Sequence, residues 1–248
     1  MKALITGASS GIGKDFAINL SNKGYDLVLV ARDLKGLKEV QKLCKTEVEI
    51  VAMDLSIEQN CYDLYKAYNK VDILINNAGF GLFGAFDMVN LEKELNMIDL
   101  NIKAVHVLTK LYLKSMKKAD NGYILNVASS AAFLPGPLMS TYYATKSYVF
   151  RITTAIYEEL RKEKSNVTVS VLCPGPVDTN FNNVANVSFS VKSLTSKYVA
   201  DYAVKKMFKN KLIIIPGITV KIGVFFSKFI PLKFLLKINY LIQKKKEK

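Results

Sequence analysis

Short apolar runs alternate with segments of helical spacing along most of the chain. The first run, residues 2–6, leads into a glycine-rich turn, and residues 14–22 then show helical spacing. Further apolar runs of strand length occupy residues 27–30, 48–51, 73–75, 123–127, 167–172 and 212–215. Strands that alternate with helices favour an α/β fold, in which helices cover both faces of a parallel sheet.

The composition is that of one domain with a substantial core. The chain has 248 residues, 50% of them hydrophobic, and no linker rich in Pro, Ser or Gly divides it. We therefore predict a single domain over residues 1–248. The three cysteines are scattered and no cluster has metal-ligand spacing, so we expect no metal site. The first apolar run is too short for a signal peptide, which predicts a cytoplasmic location.

The turn after the first predicted strand has the composition of a phosphate-binding loop. It reads T-G-A-S-S-G-I-G from Thr6 to Gly13, directly before a predicted helix. A strand, a glycine turn and a helix in this order bring a pyrophosphate to backbone N–H groups at the helix N-terminus. The spacing differs from the commoner G-x-G-x-x-G, and a plain tight turn is the alternative. The strand before it and the helix after it favour dinucleotide binding.

Tyr142 and Lys146 form a candidate acid–base pair. They are four residues apart on a predicted helix and therefore lie on one face of it. A phenol has a pKa of about 10 in water, and a cation held nearby favours the phenolate and lowers that pKa. The spacing thus predicts a tuned general acid or base. Tyr143 lacks such a partner, because Ser147 stands four residues after it.

These motifs, in this order, resemble those of the classical short-chain dehydrogenase/reductase family. Residues 6–13 match its T-G-x-x-x-G-x-G, residues 76–79 match its N-N-A-G, and Pro174-Gly175 match its P-G motif. The resemblance extends to about residue 180. It implies a Rossmann-type doubly wound sheet of seven strands in the order 3-2-1-4-5-6-7. It also implies hydride transfer between a nicotinamide cofactor and a carbonyl or alcohol substrate.

The resemblance assigns a role to each matching residue. It makes Tyr142 the proton donor or acceptor and gives Lys146 the ribose hydroxyls, while Ser129, thirteen residues before Tyr142, binds the substrate oxygen. Ser130 is the alternative to Ser129. Asn101 is expected to position a water that links Lys146 to solvent. The residues expected at the cofactor are Thr6, Gly7, Ser9, Ser10, Gly11, Ile12, Gly13, Arg32, Asp54, Leu55, Asn77, Ala78, Gly79, Tyr142, Lys146, Pro174, Gly175, Val177 and Thr179.

The end of the second predicted strand bears on the choice of cofactor. It reads Ala31-Arg32-Asp33, and an arginine can stack on adenine and fork onto a 2′-phosphate. In the family that the chain resembles, arginine at this place goes with NADP. Asp33 is the competing residue, because a carboxylate would accept the ribose hydroxyl of NAD. We predict that NADP(H) is favoured over NAD(H).

Residues 205–248 form a basic, apolar C-terminal extension in the sequence. They contain twelve lysines and one acid, and thus carry +11 of the formal net charge of +14. No stretch reaches the roughly 18 uncharged apolar residues of a membrane span. Two interpretations stay open: the extension covers the substrate pocket or a second subunit, or it lies on an anionic membrane surface. Lysines without arginine forks do not predict nucleic-acid binding.

The surroundings of the predicted site favour an apolar or lipid-like ketone or aldehyde. No charged residue is placed to hold a carboxylate or phosphate, and residues 126–137 resemble a bacterial subgroup similar to ketoacyl and 17β-hydroxysteroid reductases. The family also implies a homodimer or homotetramer. A regulator or scaffold without turnover is the alternative, although such proteins typically lose the tyrosine or the lysine. The apolar residues expected in the pocket are Phe80, Phe83, Phe86, Phe133, Leu134, Leu138 and Phe181.

Overall fold

A parallel sheet of seven strands runs through the centre of the molecule. The computed structural model describes residues 1–179 and 193–245. Its strands are β1 (Lys2–Thr6), β2 (Asp26–Ala31), β3 (Val48–Ala52), β4 (Ile73–Asn76), β5 (Tyr123–Val127), β6 (Thr168–Leu172), β7 (Val177–Asp178), β8 (Leu194–Thr195) and β9 (Ile213–Ile214). The central sheet has the order β3-β2-β1-β4-β5-β6-β9, and β7 pairs with β8. This confirms the predicted order, because β9 is the seventh strand of the sheet.

Helices cover both faces of this sheet. They are α1 (Gly11–Ser21), α2 (Leu34–Lys42), α3 (Glu58–Ala67), α4 (Leu91–Ile98), α5 (Val105–Ala119), α6 (Ser140–Lys162), α7 (Ser196–Met207), α8 (Ile218–Ser227) and α9 (Leu232–Lys244). A π-helix, Asp99–Ala104, joins α4 to α5, and a short 3₁₀ helix spans Ser130–Phe133. The side chains of α1, α2 and α7 form a core on one face, and those of α3 and α5 form a core on the other. Because both faces are buried, the strands are apolar almost without interruption.

The observed elements differ from the predicted ones at two places that matter. Helix α1 begins at Gly11, three residues earlier than predicted, so the second half of the glycine turn is its first turn. The last strand is shorter than predicted: only Ile213 and Ile214 pair with β6, at the edge of the sheet, and Pro216 follows closely. A proline cannot donate to a strand ladder, which agrees with an early end.

Candidate active site

A cavity of about 700 Å³ opens where the central strands end. Ligands in open α/β sheets bind at the carboxyl ends of the strands, near the reversal of strand order. Here that reversal lies between β1 and β4. The predicted residues on the cavity wall are Gly7, Ser9, Ser10, Gly11, Ile12, Arg32, Asp54, Leu55, Asn77, Ala78, Gly79, Ser129, Tyr142, Lys146, Pro174, Gly175, Val177 and Thr179. The structure therefore brings together residues that are up to 172 positions apart.

The glycine turn is packed too tightly for side chains. Gly7 has a φ of +64°, and a Cβ there would lie 2.8 Å from the Cα of Ala78. A Cβ at Gly13 would lie 2.1 Å from the carbonyl oxygen of Gly7. Gly7 thus lets the chain turn beside the end of β4, and Gly13 lets α1 begin against the loop.

The N-terminus of α1 has the character of an anion site. Ser10 is its N-cap residue but makes no side-chain cap hydrogen bond, and the first turn carries no acidic residue. The positive end of the helix dipole therefore lies at the cavity wall, with no acidic residue in the first turn of the helix to offset it. A pyrophosphate fits this arrangement, because Gly7 and Gly11 leave room for it to approach the backbone.

Thr6 lies behind the wall rather than on it. Its hydroxyl accepts hydrogen bonds from the backbone N–H groups of Asn77, at 2.9 Å, and Ala78, at 3.0 Å. The side-chain amide of Asn77 returns to the carbonyls of Thr6, at 3.0 Å, and Gly7, at 3.1 Å. Thr6 and Asn77 thus tie the turn after β1 to the turn after β4. This differs from the cofactor contact that we predicted for Thr6.

We expect Thr6→Val to lower the free energy of unfolding by about 2 to 3 kcal/mol. Two partly buried N–H groups lose their acceptor, and an unsatisfied buried group costs about 1–3 kcal/mol. Urea unfolding followed by circular dichroism measures this. Thr6→Ser keeps the hydroxyl and is the matched control. A Thr6→Val protein as stable as Thr6→Ser would show that these hydrogen bonds do not hold the two turns together.

Ser129, Tyr142 and Lys146 meet in the middle of the cavity. Tyr142 and Lys146 are buried on the first turns of α6, and the Tyr142 side chain is hydrogen-bonded to Ser129. The ammonium of Lys146 lies 5.9 Å from the centre of the Tyr142 ring and donates to the carbonyl of Val127 at 3.0 Å. The Ser129 hydroxyl also accepts from the N–H of Ala131 at 3.1 Å. One predicted acid, its cation and a hydroxyl donor therefore share one buried place.

Burial sets the protonation of this group. It raises the pKa of Tyr142 above its ordinary value, and the hydrogen bond to Ser129 opposes the rise. It lowers the pKa of Lys146 to about 8. The pKa of Tyr142 is therefore raised, not lowered as expected from the sequence, because the loss of hydration outweighs the hydrogen bond to Ser129. At neutral pH Tyr142 holds its proton and is ready to donate it.

The neighbours of Ser129 and Tyr142 make different contacts, although both Ser129 and Ser130 line the cavity. It is Ser129, not Ser130, that hydrogen-bonds Tyr142, whereas the N–H of Ser130 donates to the carbonyl of Pro174 at 2.8 Å. The Tyr143 ring packs against Gly136, where a Cβ would lie 2.2 Å from it. Tyr143 also lines the cavity, and its hydroxyl accepts a hydrogen bond from Gln243.

Asn101 lies in the π-helix, fully buried behind Gly79. Its side chain accepts from the N–H of Phe80 at 3.1 Å and donates to the carbonyl of Phe80 at 2.9 Å and to Thr145 at 3.1 Å. A Cβ at Gly79 would lie 2.8 Å from the Asn101 oxygen and 3.3 Å from the Lys146 nitrogen. Asn101 therefore holds the chain beside Lys146, and a π-helix at such a place is typical of functional sites. Its predicted role in holding a water stays a prediction.

Helix α9 contributes to the cavity wall, and no local sequence motif predicted this. Ile242 lines the cavity, and Asn239 donates to the carbonyl of Pro135 at 2.8 Å. This agrees with the interpretation that the C-terminal extension covers the pocket. Of the apolar residues expected there, Phe80 lines the cavity, Phe133 packs on Phe150 instead, and Phe181 lies outside the described residues. Further residues that line the wall without having been predicted include Met53, Leu100, Ala131, Met139 and Pro176.

Comparisons with known proteins agree with this geometry. A family model described as short chain dehydrogenase matches residues 1–188. An uncharacterized oxidoreductase of Staphylococcus epidermidis is 31% identical over 223 residues, which cover 88% of this chain and 96% of that protein. The 17-beta-hydroxysteroid dehydrogenase type 3 of Mus musculus is 33% identical over 193 residues, 74% of this chain and 62% of the mouse protein.

Solved structures give the same picture. A short-chain dehydrogenase from Sphingobium yanoikuyae in complex with NADPH superposes with a TM-score of 0.81 at 28% identity, covering 88% of each chain. A short chain dehydrogenase/reductase from Burkholderia phymatum in complex with NAD also gives 0.81, at 25% identity and 90% of each chain. Similar folds therefore hold either form of the nicotinamide cofactor.

Proposed function

This chain belongs to the short-chain dehydrogenase family, whose members are NAD(P)-dependent oxidoreductases acting on CH–OH or C=O groups, and we propose that it reduces apolar, lipid-like ketones or aldehydes with NADPH. The observation that carries the proposal is the hydrogen bond between Ser129 and the buried Tyr142, beside Lys146, on the wall of a cavity that the N-terminus of α1 also lines.

The proposed roles follow from protonation and position. A nicotinamide cofactor supplies the hydride when it is bound. Tyr142 donates its proton to the substrate oxygen as general acid, or removes it in the oxidative direction. Ser129 donates a hydrogen bond to the same oxygen and stabilises the developing negative charge. Lys146 stabilises the phenolate that Tyr142 becomes, and it holds the ribose hydroxyls. The backbone of residues 7–13 holds the pyrophosphate.

The surface after β2 supports the preference for NADP(H). The Arg32 side chain is 65% exposed at the cavity wall, and its guanidinium lies 3.6 Å from the Asp54 carboxylate. Asp33, the competing residue, is the N-cap of α2 and accepts from the N–H of Gly36 at 3.0 Å. The carboxylate of Asp33 is thus engaged in its own helix, which supports the assignment of the 2′-phosphate to Arg32.

Arg32→Ala is expected to weaken NADPH binding by about 10- to 100-fold, the loss of one charge-assisted pair. NADH binding should change by less than about threefold, because that cofactor lacks the 2′-phosphate. Fluorescence titration with each cofactor measures both. Arg161→Ala, in an exposed pair with Glu158 on the last turn of α6, is the control. An equal loss for both cofactors would contradict the assignment of Arg32 to the 2′-phosphate.

The lining around Tyr142 supports an apolar substrate. Phe80, Met139, Tyr143 and Ile242 line the cavity there, whereas the charged residues Arg32, Asp33 and Asp54 follow β2 and β3. The mouse relative is a 17-beta-hydroxysteroid dehydrogenase, which is consistent with a bulky apolar ketone. Assembly as a homodimer or homotetramer remains a prediction from the family.

The test is a parallel titration with NADPH and NADH, followed by rates of NADPH oxidation with aliphatic, acyl and steroid ketones. We expect turnover to favour the larger apolar substrates. Turnover of small polar carbonyls alone would contradict the substrate class. Tight binding of NADPH without turnover of any carbonyl would instead favour the regulator or scaffold.

Ile242→Asn is expected to lower kcat/KM for a bulky apolar ketone by about 10-fold or more, since lost apolar contact in a pocket is worth about 10- to 200-fold. NADPH affinity should stay within about twofold, because a change at the substrate end removes no cofactor contact. Leu241→Asn is the matched control: Leu241 is 61% exposed and does not line this cavity. Equal effects of the two substitutions would show that α9 does not form part of the substrate pocket.

A further inference from the structure

Helix α8 exposes its apolar side to solvent. Ile218, Ile222, Phe225 and Phe229 recur at intervals of three or four residues, so they lie along one side of the helix and its continuation. Each is at least half exposed, Phe229 by 70%, and the rings of Phe225 and Phe229 lie 5.3 Å apart. In contrast, Val224 on the other side is buried. A surface helix of a water-soluble domain has the reverse arrangement.

Helix α9 is inverted in the same way. Its buried side consists of Leu235, Asn239 and Gln243, spaced by four residues, and two of these three are polar. Its exposed side carries Phe234, Ile238 and Leu241. We call these exposed apolar residues of the two helices the α8–α9 face: Ile218, Ile222, Phe225, Phe229, Phe234, Ile238 and Leu241. Large apolar residues exposed in such number on adjacent helices mark interaction sites.

The positive charge around the α8–α9 face indicates what kind of partner it binds. Exposed lysines flank it, and residues 202–245 contain no Asp or Glu. A second copy of this chain would bring the same positive charge to the interface and be repelled. An anionic surface is complementary to it. The flanking lysines are Lys221, Lys228, Lys233, Lys237, Lys244 and Lys245.

We propose that the α8–α9 face docks on an anionic lipid membrane, with its lysines at the headgroups and its aromatic side chains at the acyl boundary. None of the helices in the described part of the chain has the length and hydropathy to cross a bilayer, so the contact is peripheral. The face is fixed beside the cavity: Val220 packs on Gly175, Gln243 binds Tyr143, and Ile242 lines the wall. An apolar substrate then enters from the lipid, a step that rests on the proposed function.

Flotation of the full chain with vesicles tests the docking without substrate. We expect binding to phosphatidylglycerol–phosphatidylcholine vesicles and at least about tenfold weaker binding to phosphatidylcholine alone. Two double variants should each lose at least about tenfold on the anionic vesicles: Phe225→Ser with Phe229→Ser, and Lys233→Glu with Lys237→Glu. Their controls, Leu43→Ser with Ile57→Ser and Lys114→Glu with Lys118→Glu, replace exposed residues elsewhere and should bind like the wild type.

NADPH titration of each variant checks that its fold is kept, and the charge variant serves if the aromatic one does not fold. Equal binding to both vesicles, or a variant that binds like its control, would overturn the proposal. A concentration-dependent dimer that the Phe225→Ser/Phe229→Ser variant abolishes would assign the face to a second copy instead. Failure of the proposed function can be distinguished from failure of the docking. If the chain binds vesicles but reduces no ketone, the docking stands and only the entry of substrate from the lipid is abandoned.

Discussion

Tyr142→Phe is expected to lower kcat for ketone reduction by about 10²- to 10⁴-fold, the usual contribution of a positioned general acid. The substitution keeps the buried ring and removes only the hydroxyl that Ser129 contacts. Because burial raises the pKa of Tyr142, the hydroxyl is protonated at neutral pH. Removing this hydroxyl therefore removes the proton donor itself. Steady-state oxidation of NADPH with a saturating apolar ketone measures the effect.

NADPH affinity decides whether the lost activity is chemical. We expect the dissociation constant of the Tyr142→Phe protein to stay within about threefold, since the pyrophosphate and adenine contacts are untouched and a change confined to kcat marks an interaction made in the transition state. Tyr143→Phe is a control from the next position: it removes a hydroxyl that contacts Gln243 and should keep more than about a tenth of the activity. A Tyr142→Phe protein of similar activity would assign the proton to another donor.

Much of this site could be predicted because its parts are local in sequence. Tyr142 and Lys146 are one helical turn apart, and the turn from Thr6 to Gly13 carries its own glycine spacing. The order of strands then places each such segment at one edge of the sheet. Local spacing and a regular fold together were sufficient to bring these segments to the cavity, although Thr6 itself lies behind the wall.

The remainder depends on contacts between distant segments. Gln243 meets Tyr143 across 100 positions, and the path of the chain after β9 decides that meeting. Phe133 has the apolar side chain expected of a pocket residue, yet it packs on Phe150 in the core. The predicted direction of the Tyr142 pKa shift was wrong for a related reason. The sequence shows that Lys146 is near Tyr142, but not how completely the two side chains are removed from water.

Lys146→Met is expected to lower kcat/KM for ketone reduction by about 10²- to 10³-fold. The Met side chain fills nearly the same space but brings no positive charge to the phenolate that Tyr142 becomes, and a charge-assisted contact in a buried site is worth several kcal/mol of transition-state stabilisation. The hydrogen bond from Lys146 to Val127 is lost as well. Rates with the same ketone, and circular dichroism to check the fold, measure this.

The pH dependence of the wild type tests whether the charge of Lys146 accounts for the activity lost in Lys146→Met. Burial lowers its pKa to about 8, so the ammonium is present below that pH and is lost as the pH rises through it. Since burial raises the pKa of Tyr142, that group deprotonates later and does not set this limb. We therefore expect kcat/KM for NADPH, which reports the free enzyme, to fall as the pH rises through about 8.

The Lys146 variants show whether the fall in kcat/KM near pH 8 comes from Lys146 or from another titrating group. In Lys146→Met the fall near pH 8 should be absent. In Lys146→Arg it should move beyond the measured range, because a guanidinium keeps its charge to about pH 12 and above. A limb near pH 8 that persists unchanged in both proteins would belong to another group. If the limb is lost in both variants and Lys146→Arg is much more active than Lys146→Met, the activity depends on the positive charge at this position.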